Sequence, residues 1–357
     1  MSSDPLDYEN HRKRTRDRLS RGNRTRTQIK AGKLLSEGAK QGTVLTAAGP
    51  GWIVASSEEL GLDRGLEADL VVCVVAGTVD AVSGRTIVTV GDRVWYVPDN
   101  QMGTKLQQTG TIVRVEERTT LLSRKAAGRA RKEQVLVANV EQIAIVIAAA
   151  QPDYHRRLVD RYLIAADKGD LQPLIVVNKI DLVGQELLAV IVDDMRVYAD
   201  DLNLDVFFIS TLAQSGLTEL RARLSGRSTL IAGQSGVGKT SIINALTDYQ
   251  FKVGEISRQY SKGKHTTSAA MVIPLPGGGM VVDSPGIREF ALWQLDANEL
   301  QYYFEEFAPF ASNCRFTSCT HTHEPGCSVK QAVEDGLVEE GRYYSYAVLL
   351  DEISANK

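Results

Sequence analysis

The feature that most constrains this chain is the order of its short motifs. Asn178-Lys179-Ile180-Asp181 and Ser210-Thr211 come first, Gly233-Gln234-Ser235-Gly236-Val237-Gly238-Lys239-Thr240 follows, and Asp283-Ser284-Pro285-Gly286 comes last. The glycine-rich stretch matches a phosphate-binding loop. It stands between an apolar run, Ser228 to Ala232, and a helical pattern at 239–247, so its N–H groups and the helix N-terminus can face phosphate oxygens. Lys239 is placed to bridge β- and γ-phosphates. Thr240 offers a hard oxygen to Mg²⁺, with Ser241 beside it in the same turn. In the usual order of such proteins the phosphate loop precedes the NKxD motif; here it follows. Both orders build one sheet, because the usual termini lie close together and can be joined. The join here runs from a helix at 216–225 to the strand at 229–232, which makes the central region a circularly permuted, doubly wound α/β domain.

The motifs also specify a base. At the end of the apolar run Leu174 to Val177, Asp181 can accept two hydrogen bonds from guanine's ring N–H and exocyclic amine. Adenine offers neither and would leave the carboxylate desolvated and unpaired, which disfavours an ATP-using reading. Asn178 is expected to tie this loop to the phosphate loop, and Lys179 to lay its stem on the base. Ser210-Thr211, after a strand at 206–209, is the expected further base loop. Asp283 is expected to hold Mg²⁺ through water, and the Gly286 N–H to meet the γ-phosphate. Upstream, Gly263-Lys264-His265-Thr266-Thr267 has the length of a switch loop, with Thr266 or Thr267 completing the Mg²⁺ shell. Ile287 stands where many GTPases carry a glutamine that orients water, so intrinsic hydrolysis is expected to be slow. His265 is the nearest replacement; the alternative is that it merely fills the loop.

The whole chain of 357 residues favours two or three domains, and its 43% hydrophobic and 24% charged residues are those of an ordinary soluble globular protein. No apolar stretch reaches the roughly 20 residues of a membrane helix, and the charged N-terminus is unlike a secretory signal, so a cytoplasmic protein is expected. Residues 11–33 hold ten Lys or Arg and one acid, Asp17, with almost no large apolar residues. That composition predicts a disordered tail, either solubilising or in contact with RNA. Between 38 and 118, short β-branched runs separated by glycine predict a small all-β barrel: 42–45, 51–55, 70–75, 86–90, 93–97 and 110–115. An OB-fold and an SH3-like barrel both fit this spacing. Residues 119–133 are basic and read as a mobile connector, either solvated or in contact with nucleic acid. Strands are then expected at 143–149, 174–177, 206–209, 229–232, 270–273 and 280–282, and helices at 153–168, 185–200, 216–225 and 239–247. Helical patterns at 298–307, 328–334 and 342–353 close the chain.

Cys314, Cys319 and Cys327 crowd beside His321 and His323, whereas Cys73 lies alone in a β-like run. Three thiolates and one imidazole make a closed tetrahedral set suited to structural zinc, and either histidine fits the short loop. Unlinked structural cysteines are the alternative; a disulfide is disfavoured in a reducing compartment.

Taken together, the permuted order, the barrel and the Cys/His cluster resemble the ribosome small-subunit-dependent GTPase A family (RsgA, also called YjeQ) over roughly 38–345. The resemblance implies an OB-fold at 38–118 after a basic tail at 1–37, a permuted GTPase domain at 119–290, and a mainly α zinc-binding domain at 291–357. It also implies a monomer that binds GTP or GDP, Mg²⁺ and one zinc ion, with His321 rather than His323 as ligand. GTP hydrolysis stimulated by the small (30S) ribosomal subunit, contact with its rRNA during late maturation, and release on hydrolysis follow from the same likeness. Lys264 stands where the family usually has Arg in a GRHTT motif, Thr240 where it has Ser, and Thr211 at a common Ala.

Overall fold

The structure is a computed structural model that describes residues 38–56, 70–77, 79, 87–99, 108–125, 133–247, 270–283 and 295–355. The basic tail, the Gly263 to Thr267 loop, Ser284, Pro285, Gly286 and Ile287 lie outside the described residues.

Five strands close a barrel in the order β1 (Lys40–Ala48), β2 (Gly51–Ser56), β3 (Leu70–Val75), β5 (Gln108–Val115), β4 (Arg93–Pro98), with β4 returning to β1. Strand β3 pairs with β5 in parallel; the other pairings are antiparallel. Val44, Val54, Val71, Cys73, Tyr96 and Ile112 fill the interior. Burial pushes the Cys73 thiol up to about 12, which keeps it protonated and unreactive. Of the run expected at 86–90, the described part makes only an isolated bridge, Val90 to Val137.

The basic stretch read as a connector departs from expectation. Leu121–Lys125 (β6) pairs antiparallel with Glu133–Ala138 (β7). The reason is apolar: Leu121, Leu122, Val135 and Val137 are all buried, and that burial outweighs the charge around them.

A six-stranded sheet follows, in the order β10 (Val206–Phe208), β9 (Gln172–Asn178), β8 (Gln142–Ala148), β11 (Ser228–Ala232), β13 (Met280–Asp283), β12 (Met271–Pro274). All pairings are parallel except β12 with β13. Every residue of β8 and β11 is buried, as expected where helices cover both faces. The alternation of a strand sorts the side chains. Ile143, Ile145 and Ile147 join one core with α1 (Arg156–Gly169) and α2 (Gln185–Asp194). Ala144, Val146 and Ala148 join another with α3 (Leu217–Leu224) and α4 (Lys239–Thr247). Leu45 and Ile53 of the barrel belong to the first core, so barrel and sheet share apolar contact. The helix expected at 185–200 ends at Asp194 and is followed by a wider turn, Val197–Asp201.

The C-terminal region holds α5 (Ala308–Ala311), α6 (Ser328–Glu334) and α7 (Glu340–Ala355). In place of one helix at 298–307 there are two 3-10 turns, Leu300–Tyr303 and Glu305–Phe307. The tighter winding brings residues three apart onto one side. Phe304 and Phe307 accordingly stack at 5.4 Å, and Tyr346 of α7 meets both edge-on at 5.2 and 5.0 Å. No described helix is long and apolar enough to cross a membrane.

Candidate functional site

The described motif residues converge at the carboxyl ends of the parallel strands, where a doubly wound sheet opens a crevice. Asn178 ends β9, Ser210 follows β10, Gly233 follows β11 and Asp283 ends β13. The sheet order places β11 between β8 and β13, so loops distant in sequence become neighbours in space.

Asn178 is buried, and its Nδ2 donates to the Val237 carbonyl at 2.9 Å, joining the NKxD loop to the phosphate loop. Gly238 is required there: its φ is +96°, and a Cβ would sit 2.4 Å from Asn178 Nδ2. Lys179 adopts a left-handed conformation at the strand end, and its ammonium donates to the Gln151 carbonyl. Ser210, fully buried, donates to Asp181 Oδ1 and accepts the Ala213 N–H at 2.9 Å. One carboxylate oxygen of Asp181 is thereby fixed, while the residue itself is exposed. Thr211 opens the turn that Gln214 Nε2 closes by donating to its carbonyl at 2.6 Å.

In the phosphate loop, Lys239 donates to the carbonyls of Gly233 and Gln234, each at 2.8 Å. Gly233 has φ +149°, and a Cβ would lie 2.2 Å from the Val146 carbonyl, so β8 packs directly beneath the loop. Ser235, Gly236, Thr240 and Ser241 are exposed, and Val237 is buried in the second core. Asp283 is 4% exposed. Burial raises its carboxyl pKa and the nearby Lys239 charge opposes that rise. An acid held this way suits a neighbouring dication, which would favour its charged form.

The second cluster is local in sequence. Cys314, Cys319, His321 and Cys327 bring their ligand atoms within 4.8 Å of one another. His321 Nδ1 lies 3.6 Å from Cys314 Sγ and 3.5 Å from Cys327 Sγ. Its Nε2 meets Gln301 Oε1 at 2.8 Å, a contact that requires Nε2 to carry the proton and leaves Nδ1 free to ligate. Burial lowers the imidazole pKa to about 4, keeping it neutral, and raises the thiols of Cys319 and Cys327. Buried thiols that resist ionisation become thiolates when a cation supplies the counter-charge, so the donor set fits a metal ion. His323 is exposed and outside the cluster, with Nδ1 3.1 Å from Thr322 Oγ1. All four cysteines are free thiols.

The RsgA GTPase family matches residues 115–293. The chain belongs to the RsgA GTPase family. Among relatives, the small ribosomal subunit biogenesis GTPase RsgA of Chlorobaculum parvum is 42% identical over 284 residues, which is 78% of this chain and 89% of that protein. Its namesake in Klebsiella pneumoniae is 37% identical over 75% of this chain and 76% of that protein. The crystal structure of YjeQ from Thermotoga maritima superposes with a TM-score of 0.65 at 28% identity, covering 88% of this chain and 98% of the other. YloQ, described as a circularly permuted GTPase, gives 0.64 at 28% identity, with coverage of 90% and 97%.

Within this RsgA frame, sequence reasoning missed several contributors. Gln151, Pro152 and Asp153, between β8 and α1, touch both nucleotide loops: Gln234 Nε2 donates to the Asp153 carbonyl at 3.1 Å. No motif marks them. Gln301 lies outside the Cys/His spacing and is recognisable only through its contact with His321.

Proposed function

We infer that this protein is a GTPase acting in small ribosomal subunit biogenesis. The observation that carries the reading is the hydrogen bond from Asn178 to the Val237 carbonyl: a base-selecting loop and a phosphate loop in reversed chain order form one crevice. Guanine is chosen by Asp181, held by Ser210, with the Thr211 N–H meeting the base carbonyl and Lys179 packing on the ring. The backbone of 233–238 receives the phosphates, and Lys239 spreads the charge that develops on them. Bound Mg²⁺, held by Thr240, Asp283 and either Thr266 or Thr267, would supply further charge neutralisation. Lys239 is the catalytic cation. His265 is assigned to the attacking water and Gly286 to the γ-phosphate, both outside the described residues.

The Cys/His set is read as one structural zinc site, since four protein ligands leave no position for substrate. The strand order β1-β2-β3-β5-β4 supports an OB-type barrel. A tail at 1–37, barrel at 38–118, GTPase domain at 119–290 and zinc domain at 291–357 make up a cytoplasmic monomer. It contacts 30S rRNA late in maturation and leaves on hydrolysis.

The test is GTP turnover alone and with small subunits, large subunits or free rRNA. The account expects stimulation by small subunits only. Equal turnover in all arms would remove the ribosomal role and leave the GTPase assignment standing. Equal affinity for free RNA and intact subunits, weakening steeply with salt, would favour a nucleotide-gated RNA-binding module instead.

A further inference from the structure

Helix α1 makes two sets of contacts on different faces. Arg156, Asp160 and Ile164 recur at four-residue spacing and form one stripe, each member meeting the C-terminal region. Arg156 Nη1 donates to Glu339 Oε1 at 2.9 Å and pairs with Asp194 at the same distance. Asp160, fully buried, accepts from Arg342 Nη1 and, at 2.8 Å, from the Tyr198 hydroxyl. Arg342, 2% exposed, also donates from Nε to Glu306 at 2.7 Å. Ile164 packs in the core that holds Phe304, Phe307 and Tyr346.

The other face reaches the nucleotide crevice. Tyr162 is 1% exposed and packs in the same core as Ile145, Ile147 and Ala232, the residue before the phosphate loop. The segment leading into α1 continues the contact. Gln151 and Asp153 offer carbonyls to Lys179 and Gln234, and a Cβ at Gly236 would lie 3.6 Å from Pro152 Cδ. Tyr154 then donates to Asp194, the partner of Arg156. Asp160 and Arg342 on this path are buried, and a buried ion network cannot be shifted at one member without exposing another to an uncompensated charge.

We propose that α1 and its lead-in segment are a relay, through which nucleotide at the phosphate loop and the packing of the Cys/His-bearing region bias one another. Tyr154 is the positioning residue at one end and Arg156 at the other. The proposal rests on the reading that the loop binds guanine nucleotide. Coupling of this kind is reciprocal: whatever factor GDP applies to opening of the C-terminal helix, disrupting that helix's docking applies to GDP.

The test uses the full-length, metal-loaded protein, a fluorescent GDP analogue for affinity, and hydrogen exchange of α7 amides with and without Mg-GDP. In the unaltered protein GDP is expected to slow α7 exchange at least ~5-fold. Tyr154→Phe, which keeps the ring and removes the hydrogen bond to Asp194, should reduce that slowing to under about twofold. Arg156→Gln, at a partly exposed position, should do the same and weaken GDP by the factor lost from the exchange. GDP that binds tightly yet leaves α7 exchange unchanged would overturn the relay alone, as would full slowing in both variants. Failure of the unaltered protein to bind GDP would overturn the nucleotide reading and the relay with it.

Discussion

The nucleotide crevice and the Cys/His cluster are built in opposite ways. The crevice gathers Asn178, Ser210, Gly233 and Asp283 from four strand ends. The cluster gathers four side chains from residues 314–327 within 4.8 Å. A site of the first kind depends on strand order in the sheet and is indifferent to where the chain begins, which is why the permuted motif order leaves it intact. A site of the second kind depends on spacing along the chain, and shifting one ligand destroys it. Stability follows the same division: the crevice stands on two buried apolar cores, whereas the cluster lies beside a small aromatic core that a metal would complete.

The largest effect expected from this contrast is at the cluster, because structural zinc supplies on the order of 10 kcal/mol of apparent binding energy in small domains. Cys319→Ser should release the metal and abolish the near-ultraviolet dichroism of the C-terminal aromatics, while GDP affinity changes less than ~10-fold. Loss of nucleotide binding in step with the metal would erase the distinction between the two sites. Next in size is Gly238→Ala, where left-handed backbone and the approach to Asn178 both resist a methyl group. Strain of this kind costs about 1–3 kcal/mol, so calorimetric titration should show GDP weakened up to ~100-fold with the metal retained. Gln301→Leu removes the partner that orients His321 and should cost about tenfold in metal affinity against a competing chelator, leaving nucleotide binding untouched.

The smallest effect concerns Asp283. Burial raises its folded-state pKa above the ordinary 3.8, so between those values the folded nucleotide-free protein binds more protons than the unfolded chain. Stability therefore falls as pH rises through that window and stays lower above it. Asp283→Asn should raise the nucleotide-free Tm at neutral pH by about 2 °C, flatten its pH dependence and remove the Mg²⁺-dependent tightening of GTP. A lower Tm at neutral pH would contradict the assignment of Asp283 as a carboxylate waiting for a cation.

How much of this could be read in advance divides along the same line. That the 178–181 and 233–240 motifs meet was legible because both stand at fixed offsets from strand ends. The cluster was legible from cysteine spacing, but the choice between His321 and His323 was not, since either satisfies a short loop and only burial and the contact with Gln301 separate them. The hairpin of β6 and β7 was hidden because its basic residues obscure the buried pairs Leu121–Leu122 and Val135–Val137. The two 3-10 turns at 300–307 were hidden because apolar residues three and four apart also fit an α-helix, and only aromatic stacking selects the tighter form. The contacts of α1 were invisible for a deeper reason. Tyr154, Asp160 and Arg342 acquire partners only through tertiary packing, and no local pattern encodes a partner far away in sequence.

The central claim is that strands in permuted order still assemble a crevice in which Asp181 reads guanine. The most direct measurement is the affinity of Asp181→Asn for GTP and for xanthosine triphosphate, whose ring carries a carbonyl where guanine carries its amine. An asparagine amide donates to that carbonyl while its oxygen accepts the ring N–H. The account predicts GTP binding weakened by roughly 10³-fold or more and xanthosine triphosphate strengthened until it is preferred. A variant that kept its preference for GTP would contradict it.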